Sequence, residues 1–224
     1  MNTAVIGRLI LKDWRLNRLT ISLAIAVGVG ALLLVRYGSE IARTLGTVWF
    51  FVALIVLGSM LPASTIINER KKQTLAFIMS LPVSAVQYAI AKMLSIWAMF
   101  LVPWCGLIIS ALVVIETGHA IPHGVIPILL ILAMLPLLGF CIISSATLIG
   151  ESEGALIAAS LVCNSSYWFV WYLLSRIPTL TENWKSGLPV WNPAVRTVLL
   201  SEMATLAIIV AITLLLQSRK RDFI

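Results

Sequence analysis

The sequence has few charged residues for its length. Only 11% of its 224 residues are charged, against roughly 25% in a typical soluble domain, and 60% are hydrophobic. A water-soluble fold of this size cannot bury so much apolar surface, so lipid must be the solvent for much of the chain. The residues left over for loops and ends are too few for a soluble catalytic domain.

The sequence also lacks the common motifs of enzymes. It contains no GxxxxGK[ST] phosphate-binding loop, no HExxH and no GxSxG. His119 and His123 stand in a short loop beside Pro122, where solvated loop histidines are the expected interpretation. The three cysteines fall in apolar runs without a CxxC motif, which is typical of packing residues. We therefore expect no enzyme, and no cofactor or metal in this chain.

Ionisable groups are missing where an ion-coupled transporter needs them. The interiors of the first five apolar stretches hold none. Glu202 is the single candidate in the sixth, about a turn from its outer end, where water or a loop cation such as Arg196 is within reach. The first 18 residues do not have the form of a cleavable signal peptide. If the chain is a transporter, its energy is expected from a partner.

Six apolar stretches predict an all-α membrane protein with six transmembrane helices. They cover about residues 19–35, 45–67, 93–115, 125–149, 155–174 and 198–216, near the roughly 20 residues that cross a bilayer. Pro136 interrupts the fourth stretch, but one proline is tolerated in such helices and a single helix is favoured. Residues 19–224 are thus predicted as one six-helix domain, with five or seven spans as the alternatives.

The basic residues predict the orientation of the chain. With the N-terminus inside, eleven Lys and Arg residues fall on the cytoplasmic side and five on the other. This bias accounts for the net charge of +7 without nucleic acid as a partner. Both termini are expected to be cytoplasmic, in a bacterial inner membrane.

Residues 1–18 predict an amphipathic helix that lies on the cytoplasmic leaflet. Its apolar residues share one side, and Arg8, Lys12, Arg15 and Arg18 share the other. Such a helix serves either as a plain topology anchor or in coupling to a partner. Asp13 falls on the apolar side, so we expect it to have a specific partner.

Segment 68–92, between the second and third spans, begins with charged residues and then turns amphipathic, with a short helix predicted to end at Leu81-Pro82. Its pattern resembles the signature of type-2 ABC exporter permeases, a family that has an acid, Gly-Thr-Leu, an aliphatic pair, Leu-Pro-Val-Ser and Gly/Ala-Lys. The matching residues here are Glu69, Thr74, Leu75, Ile78, Ser80, Leu81, Pro82, Val83, Ser84 and Lys92, with Gln73 in place of the glycine. The motif covers about 25 residues, although the layout of the whole chain is similar, including the basic residues at both ends.

The resemblance implies a division of labour between chains. A permease of this type pairs with a second copy or a paralogue and with two ABC ATP-binding subunits, which hold ATP and Mg. Segment 68–92 would then be a coupling helix seated on the ATPase. The contacts at the edge of this interface would come from Glu69, Arg70 and Lys72. The buried contacts would come from Leu75, Phe77, Ile78 and Met79, beside Thr74. Leu81 and Pro82 would form the bend that ends the helix.

The resemblance also implies that spans two and five line the path of the cargo. Polar residues in these spans are Ser59, Ser64 and Thr65, and Ser160, Asn164, Ser165 and Tyr167. In lipid, such side chains either hydrogen-bond between helices or face a wet cavity. A dimer seam, a path and plain helix packing all remain open for them.

The leading expectation is an exporter subunit for an amphipathic cargo, such as a lipid-like molecule, a drug or an antimicrobial peptide. One alternative is the substrate-binding membrane subunit of a vitamin-type importer, and another is a non-transporting assembly or sensor subunit. A membrane-embedded enzyme would need clustered carboxylates or histidines, which the sequence lacks.

Overall fold

A computed structural model of the chain describes residues 3–67, 85–118, 121–150 and 152–219. These residues form helices and short connections, with no strand among them. Six of the helices are long and apolar enough to cross a membrane. The prediction of an all-α chain with six such helices is therefore confirmed.

Six long helices lie in the described part of the chain. They are α1 (Thr3–Tyr37), α2 (Glu40–Pro62), α3 (Ala85–Thr117), α4 (Ile126–Gly150), α5 (Glu153–Ser175) and α6 (Pro193–Arg219). A π-helical stretch, Ala63–Ile67, continues α2, a 3-10 turn, His123–Val125, precedes α4, and a single helical turn, Pro178–Thr181, lies between α5 and α6. Four of the predicted spans lie within one of these helices, whereas 45–67 continues from α2 through the π-helical stretch and 125–149 begins at the last residue of the 3-10 turn.

Two helices show how local sequence decides continuity. Pro136 lies inside α4, as predicted, because neighbouring helices tolerate one proline in an apolar segment. The predicted surface helix and the first predicted span form one continuous helix, α1, since neither Pro nor Gly falls between Gly7 and Gly28 to interrupt it. How residues 3–18 lie against a membrane stays a prediction.

The centre of the bundle is formed by α2 and α4. In each, 61% of the most apolar window is buried, against 6% in α5 and 11% in α6. Helices α1 and α3 pack together on the α2 side, whereas α5 and α6 pack mainly on α4. Among the six long helices, α5 and α6 are therefore the least buried.

Close aromatic packing joins α2, α3 and α4. The rings of Phe100 and Phe140 are stacked, with their centroids 4.2 Å apart. Gly58 of α2 allows this approach, because a Cβ atom at that position would lie 3.3 Å from both side chains. Small residues let membrane helices approach closely in this way.

The alternating helix directions give the bundle two ends. At the terminal end, α1 begins and α6 ends. Lys92, two turns into α3, lies against Asp13 of α1 there. At the loop end, the last turns of α1 and α3 meet, where Arg36 Nη1 donates to Thr117 Oγ1 at 2.6 Å. Which end faces the cytoplasm stays a prediction.

Candidate functional site

A cleft lies between α2 and α5 in the half of the bundle nearer the loop end. Its widest part has a volume of about 380 Å³, with Leu132 of α4 among its lining residues. Residues of α2 spaced three and four apart line one wall, which this spacing places on one helix face. They are Thr44, Thr47, Val48, Phe51, Val52 and Ile55.

Two threonines form the polar rim of the cleft. The hydroxyl of Thr44 donates to the carbonyl of Glu40 at 3.1 Å, and that of Thr47 donates to the carbonyl of Arg43 at 3.0 Å. Each hydroxyl oxygen therefore keeps lone pairs that can accept a hydrogen bond. The rim can receive a donor group of a bound molecule.

The opposite wall is aromatic. Tyr167, Trp168 and Trp171 line it from α5, and the ring of Tyr167 lies 6.1 Å from that of Phe51 across the cleft. Among the described residues, no hydrogen bond reaches the Tyr167 hydroxyl. Trp184, from the segment before α6, stacks on Trp171 at 6.3 Å. The walls offer flat apolar surfaces with polar edges.

The cleft narrows towards the middle of the bundle. A smaller cavity of about 20 Å³ shares Ile55 and Tyr167 with the wide part and is also lined by Asn164. Asn164 lies eleven residues from each end of α5, about 16 Å along the axis. An amide group therefore stands at the half-way depth of a membrane-length helix.

The polar residues predicted for spans two and five lie in three places. Ser160, Asn164 and Tyr167 follow one stripe of α5, three and four residues apart, and Ser59 lies one turn beyond Ile55 on α2. Ser165 is exposed on another side of α5. Ser64 and Thr65 lie in the π-helical stretch after α2, at the terminal end of the bundle, where Thr65 is buried and donates to the carbonyl of Leu61.

The lining chemistry suits an amphipathic molecule. Threonine acceptors, aromatic walls and one deep amide provide a mostly apolar surface with a few oriented polar groups, which is typical of small-molecule sites. Among the described residues, no group of three or more His, Cys, Asp and Glu side chains lies close enough to hold a metal ion.

A second polar feature, the polar junction, lies at the terminal end and comprises Asp13, Asn17, Ser64, Lys92 and Ser95. Lys92 Nζ lies 3.0 Å from Asp13 Oδ2, and the Ser95 hydroxyl donates to the same oxygen at 3.0 Å. The Asn17 amide donates to the carbonyl of Asp13 at 2.9 Å and accepts from the Ser64 hydroxyl. The prediction that Asp13 has a specific partner is thus confirmed.

Two other ionisable groups of the bundle have different surroundings. Glu202 of α6 is 7% exposed, and its Oε2 has no hydrogen-bond partner within the described part of the chain. His123 lies before α4, with Nδ1 3.1 Å from the carbonyl of Gly187 and Nε2 3.6 Å from Glu116 Oε2. Glu202 is buried more deeply than its expected access to water implies.

The residues predicted for coupling lie outside the described residues, which resume at position 85 after position 67. They are Glu69, Arg70, Lys72, Thr74, Leu75, Phe77, Ile78, Met79, Leu81 and Pro82. Their role stays a prediction that rests on the sequence.

Sequence reasoning missed the α2 wall of the cleft. Thr44, Thr47 and Phe51 recur at helical spacing, but in a stretch that is apolar on all sides this spacing does not distinguish a cleft from lipid-facing surface.

Comparisons with protein-family models, with curated proteins and with solved structures found no match to the chain. What the chain does is therefore inferred from its own residues.

Proposed function

We propose that the chain is the transmembrane permease subunit of an exporter that moves an amphipathic cargo with ATP hydrolysed by a separate subunit. The observation that carries this proposal is the cleft between α2 and α5. Its volume of about 380 Å³, its aromatic wall and its threonine rim match an amphipathic molecule. The resemblance of segment 68–92 to type-2 ABC exporter permeases is the reason for proposing ATP hydrolysis by a partner subunit as the source of energy.

A second permease, either another copy or a paralogue, fits the exposure of α5. Only 6% of the most apolar window of this helix is buried within the chain. Asn164 and Ser165 are exposed near its middle, where lipid tails offer no hydrogen-bond partner. A facing permease would supply such partners, and it would close the cleft into a path.

The proposed orientation follows the distribution of basic residues, with the terminal end in the cytoplasm of a bacterium. Segment 68–92 then projects from the cytoplasmic face and meets two ABC ATP-binding subunits, which bind ATP and Mg. The wide part of the cleft lies towards the outer leaflet, where a cargo would leave.

Binding of a fluorescent amphiphile tests the cleft. A dansyl-labelled single-chain amphiphile is titrated into the purified chain in nanodiscs, and energy transfer from tryptophan reports its approach. Val48→Phe places a larger side chain in the cleft, so we expect weaker energy transfer and a Kd raised at least about tenfold, equivalent to roughly 1.4 kcal/mol.

Val102→Phe is the matched control. Val102 is 60% exposed on α3 and lines none of the cavities described above, so this change leaves binding as in the unsubstituted chain. Equal binding by the Val48→Phe and Val102→Phe variants would contradict the assignment of the cleft as the cargo site.

One observation favours a second candidate, the substrate-binding subunit of an importer. The cleft is widest near the loop end, the proposed outer side, which is where an importer would capture a ligand. Such a subunit would retain its ligand through purification without any ATPase. Native mass spectrometry of the chain alone distinguishes the two, because the exporter releases its cargo on that side.

A further inference from the structure

The cleft between α2 and α5 has no basic residue in its walls. None of the described residues that line it is Lys, Arg or His. Three arginines near the loop end donate to groups outside the lining, namely Arg36 to Thr117, Arg43 to the carbonyl of Gly38 and Arg176 to the hydroxyl of Tyr172. The lining therefore offers no positive charge to a bound molecule.

One acidic residue lies beside the rim of the cleft. Glu40 is exposed in the first turn of α2, one turn before Thr44, and the spacing of four residues places both on one face of the helix. In the part of the chain that the structure describes, no hydrogen bond or ion pair joins the Glu40 carboxylate to another residue. Its negative charge is thus available to a molecule that enters past the rim.

The hydrogen-bonding groups of the rim favour a cation over an anion. The hydroxyl protons of Thr44 and Thr47 are both donated to carbonyls of α2, so these oxygens are left as acceptors. The donors in the lining are the neutral N–H and O–H groups of Trp168, Trp171 and Tyr167. An anionic head group would lose its water here without meeting a counter-charge, which is costly.

Aromatic rings supply surfaces that attract a cation. The rings of Tyr167 and Trp168 lie at 88° to each other with their centroids 6.0 Å apart, and the ring of Phe51 lies 6.1 Å from that of Tyr167. Ring faces carry partial negative charge, and several rings around one site recognise quaternary ammonium groups. Tyr172, one turn beyond Trp168, already binds a cation in this way, because Cζ of Arg176 lies 4.9 Å from its ring centroid.

We propose that the cleft between α2 and α5 selects organic cations with an apolar tail, of the quaternary or tertiary ammonium class. The positive head group lies between the rings of Tyr167 and Trp168 and the threonine rim, near Glu40, and the tail lies along the apolar residues of the walls. A neutral molecule of the same shape gains the apolar contacts alone. The inference rests on the proposed function and deepens it, because it names the class of cargo.

The test compares three tritiated amphiphiles that share one alkyl tail and carry a trimethylammonium, a tert-butyl or a sulfonate head group. Equilibrium dialysis against the purified chain in zwitterionic nanodiscs, with uptake by empty nanodiscs subtracted, gives a Kd for each without a tryptophan signal. A cation at one aromatic face gains about two- to fivefold in affinity. Because several rings contribute, we expect the cation to bind about tenfold more tightly than its tert-butyl isostere, and the sulfonate to bind most weakly.

Two pairs of variants locate the preference. Trp168→Leu keeps an apolar side chain but removes a ring, so we expect the preference for the cation over the isostere to fall at least about threefold. Phe169→Leu, at a neighbouring position that is 61% exposed and outside the lining, is the matched control and keeps the preference. Glu40→Gln weakens binding of the cation alone, whereas Glu182→Gln, at an exposed position before α6, leaves it unchanged.

An isostere or a sulfonate that binds the unsubstituted chain as tightly as the cation would overturn the proposal, as would an unchanged preference in the Trp168→Leu variant. If the three probes bind equally and Val48→Phe weakens all of them, the cleft remains the cargo site and its selection of cations is refuted. If none of the probes binds, the proposed function loses its cargo site, and this inference fails with it.

Discussion

The contact between α1 and α2 depends on the absence of a side chain at Gly46. A Cβ atom at this position would lie 2.6 Å from the carbonyl oxygen of Ala31 and 2.9 Å from Cγ2 of Val35. The first distance falls short of ordinary contact at 3.4 Å by about 0.8 Å. Because the obstructing atom belongs to the backbone, the two helices must move apart in Gly46→Ala.

Overpacking of this kind costs about 1–3 kcal/mol. For a chain of this size, that cost lowers the melting temperature by about 2–12 °C. The measurement is a thermal unfolding curve of the detergent-solubilised protein, compared at one detergent concentration. Size-exclusion chromatography after heating gives an independent readout of the folded fraction.

Two other glycines provide matched controls. A Cβ atom at Gly30 of α1 or Gly106 of α3 would have no described heavy atom within 4 Å apart from the backbone of its own helix and its chain neighbours. Alanine at these positions is expected to be neutral or to stabilise by up to about 1 kcal/mol, because alanine is the better helix former. A Gly46→Ala protein with the same melting temperature as the Gly30→Ala and Gly106→Ala proteins would refute the close contact of α1 with α2.

Three further substitutions test the core, the buried acid and the deep amide. Phe100→Ala removes a ring stacked on Phe140 at 4.2 Å and is expected to cost about 3–5 kcal/mol, measured by thermal unfolding; a loss below 1 kcal/mol contradicts the packing. Glu202→Leu removes a buried carboxyl group whose Oε2 has no hydrogen-bond partner among the described residues, so a gain of about 1–3 kcal/mol is expected, and a lower melting temperature argues against it. Asn164→Leu changes an exposed residue, so the stability of the isolated chain stays within about 0.5 kcal/mol. Amphiphile binding in the energy-transfer assay is expected to weaken. Unchanged binding would show that Asn164 is not part of the binding site.

The six long helices were predictable because crossing lipid requires a long apolar run, which a sequence shows directly. The single helix through Pro136 followed from the same reasoning. The boundary between residues 18 and 19 did not appear as a break in α1. Polarity changes there, but nothing in the local backbone chemistry ends a helix at that point.

The polar features were predictable only in part. The position of Asp13 on an apolar helix face indicated a buried partner, because an unpaired buried charge is costly. That the partner is Lys92, 79 positions away, depends on how α1 packs on α3, which local periodicity does not contain. The cleft depends in the same way on the rotation of α2 and α5 about their axes.

Capture of an ATP-binding subunit tests the central claim most directly. The tagged chain is expressed with its neighbouring genes, solubilised and purified, and the eluate is assayed for a second subunit and for ATP hydrolysis. Leu75, Phe77 and Ile78 are changed together to Asp, and the control carries Asp at the exposed loop positions Leu188, Val190 and Trp191.

The account predicts that an ATPase copurifies with the unsubstituted chain and with the loop control, and that the triple change in segment 68–92 abolishes both its capture and ATP hydrolysis. A stable chain that captures no ATPase, or one whose capture survives the triple change, would contradict it.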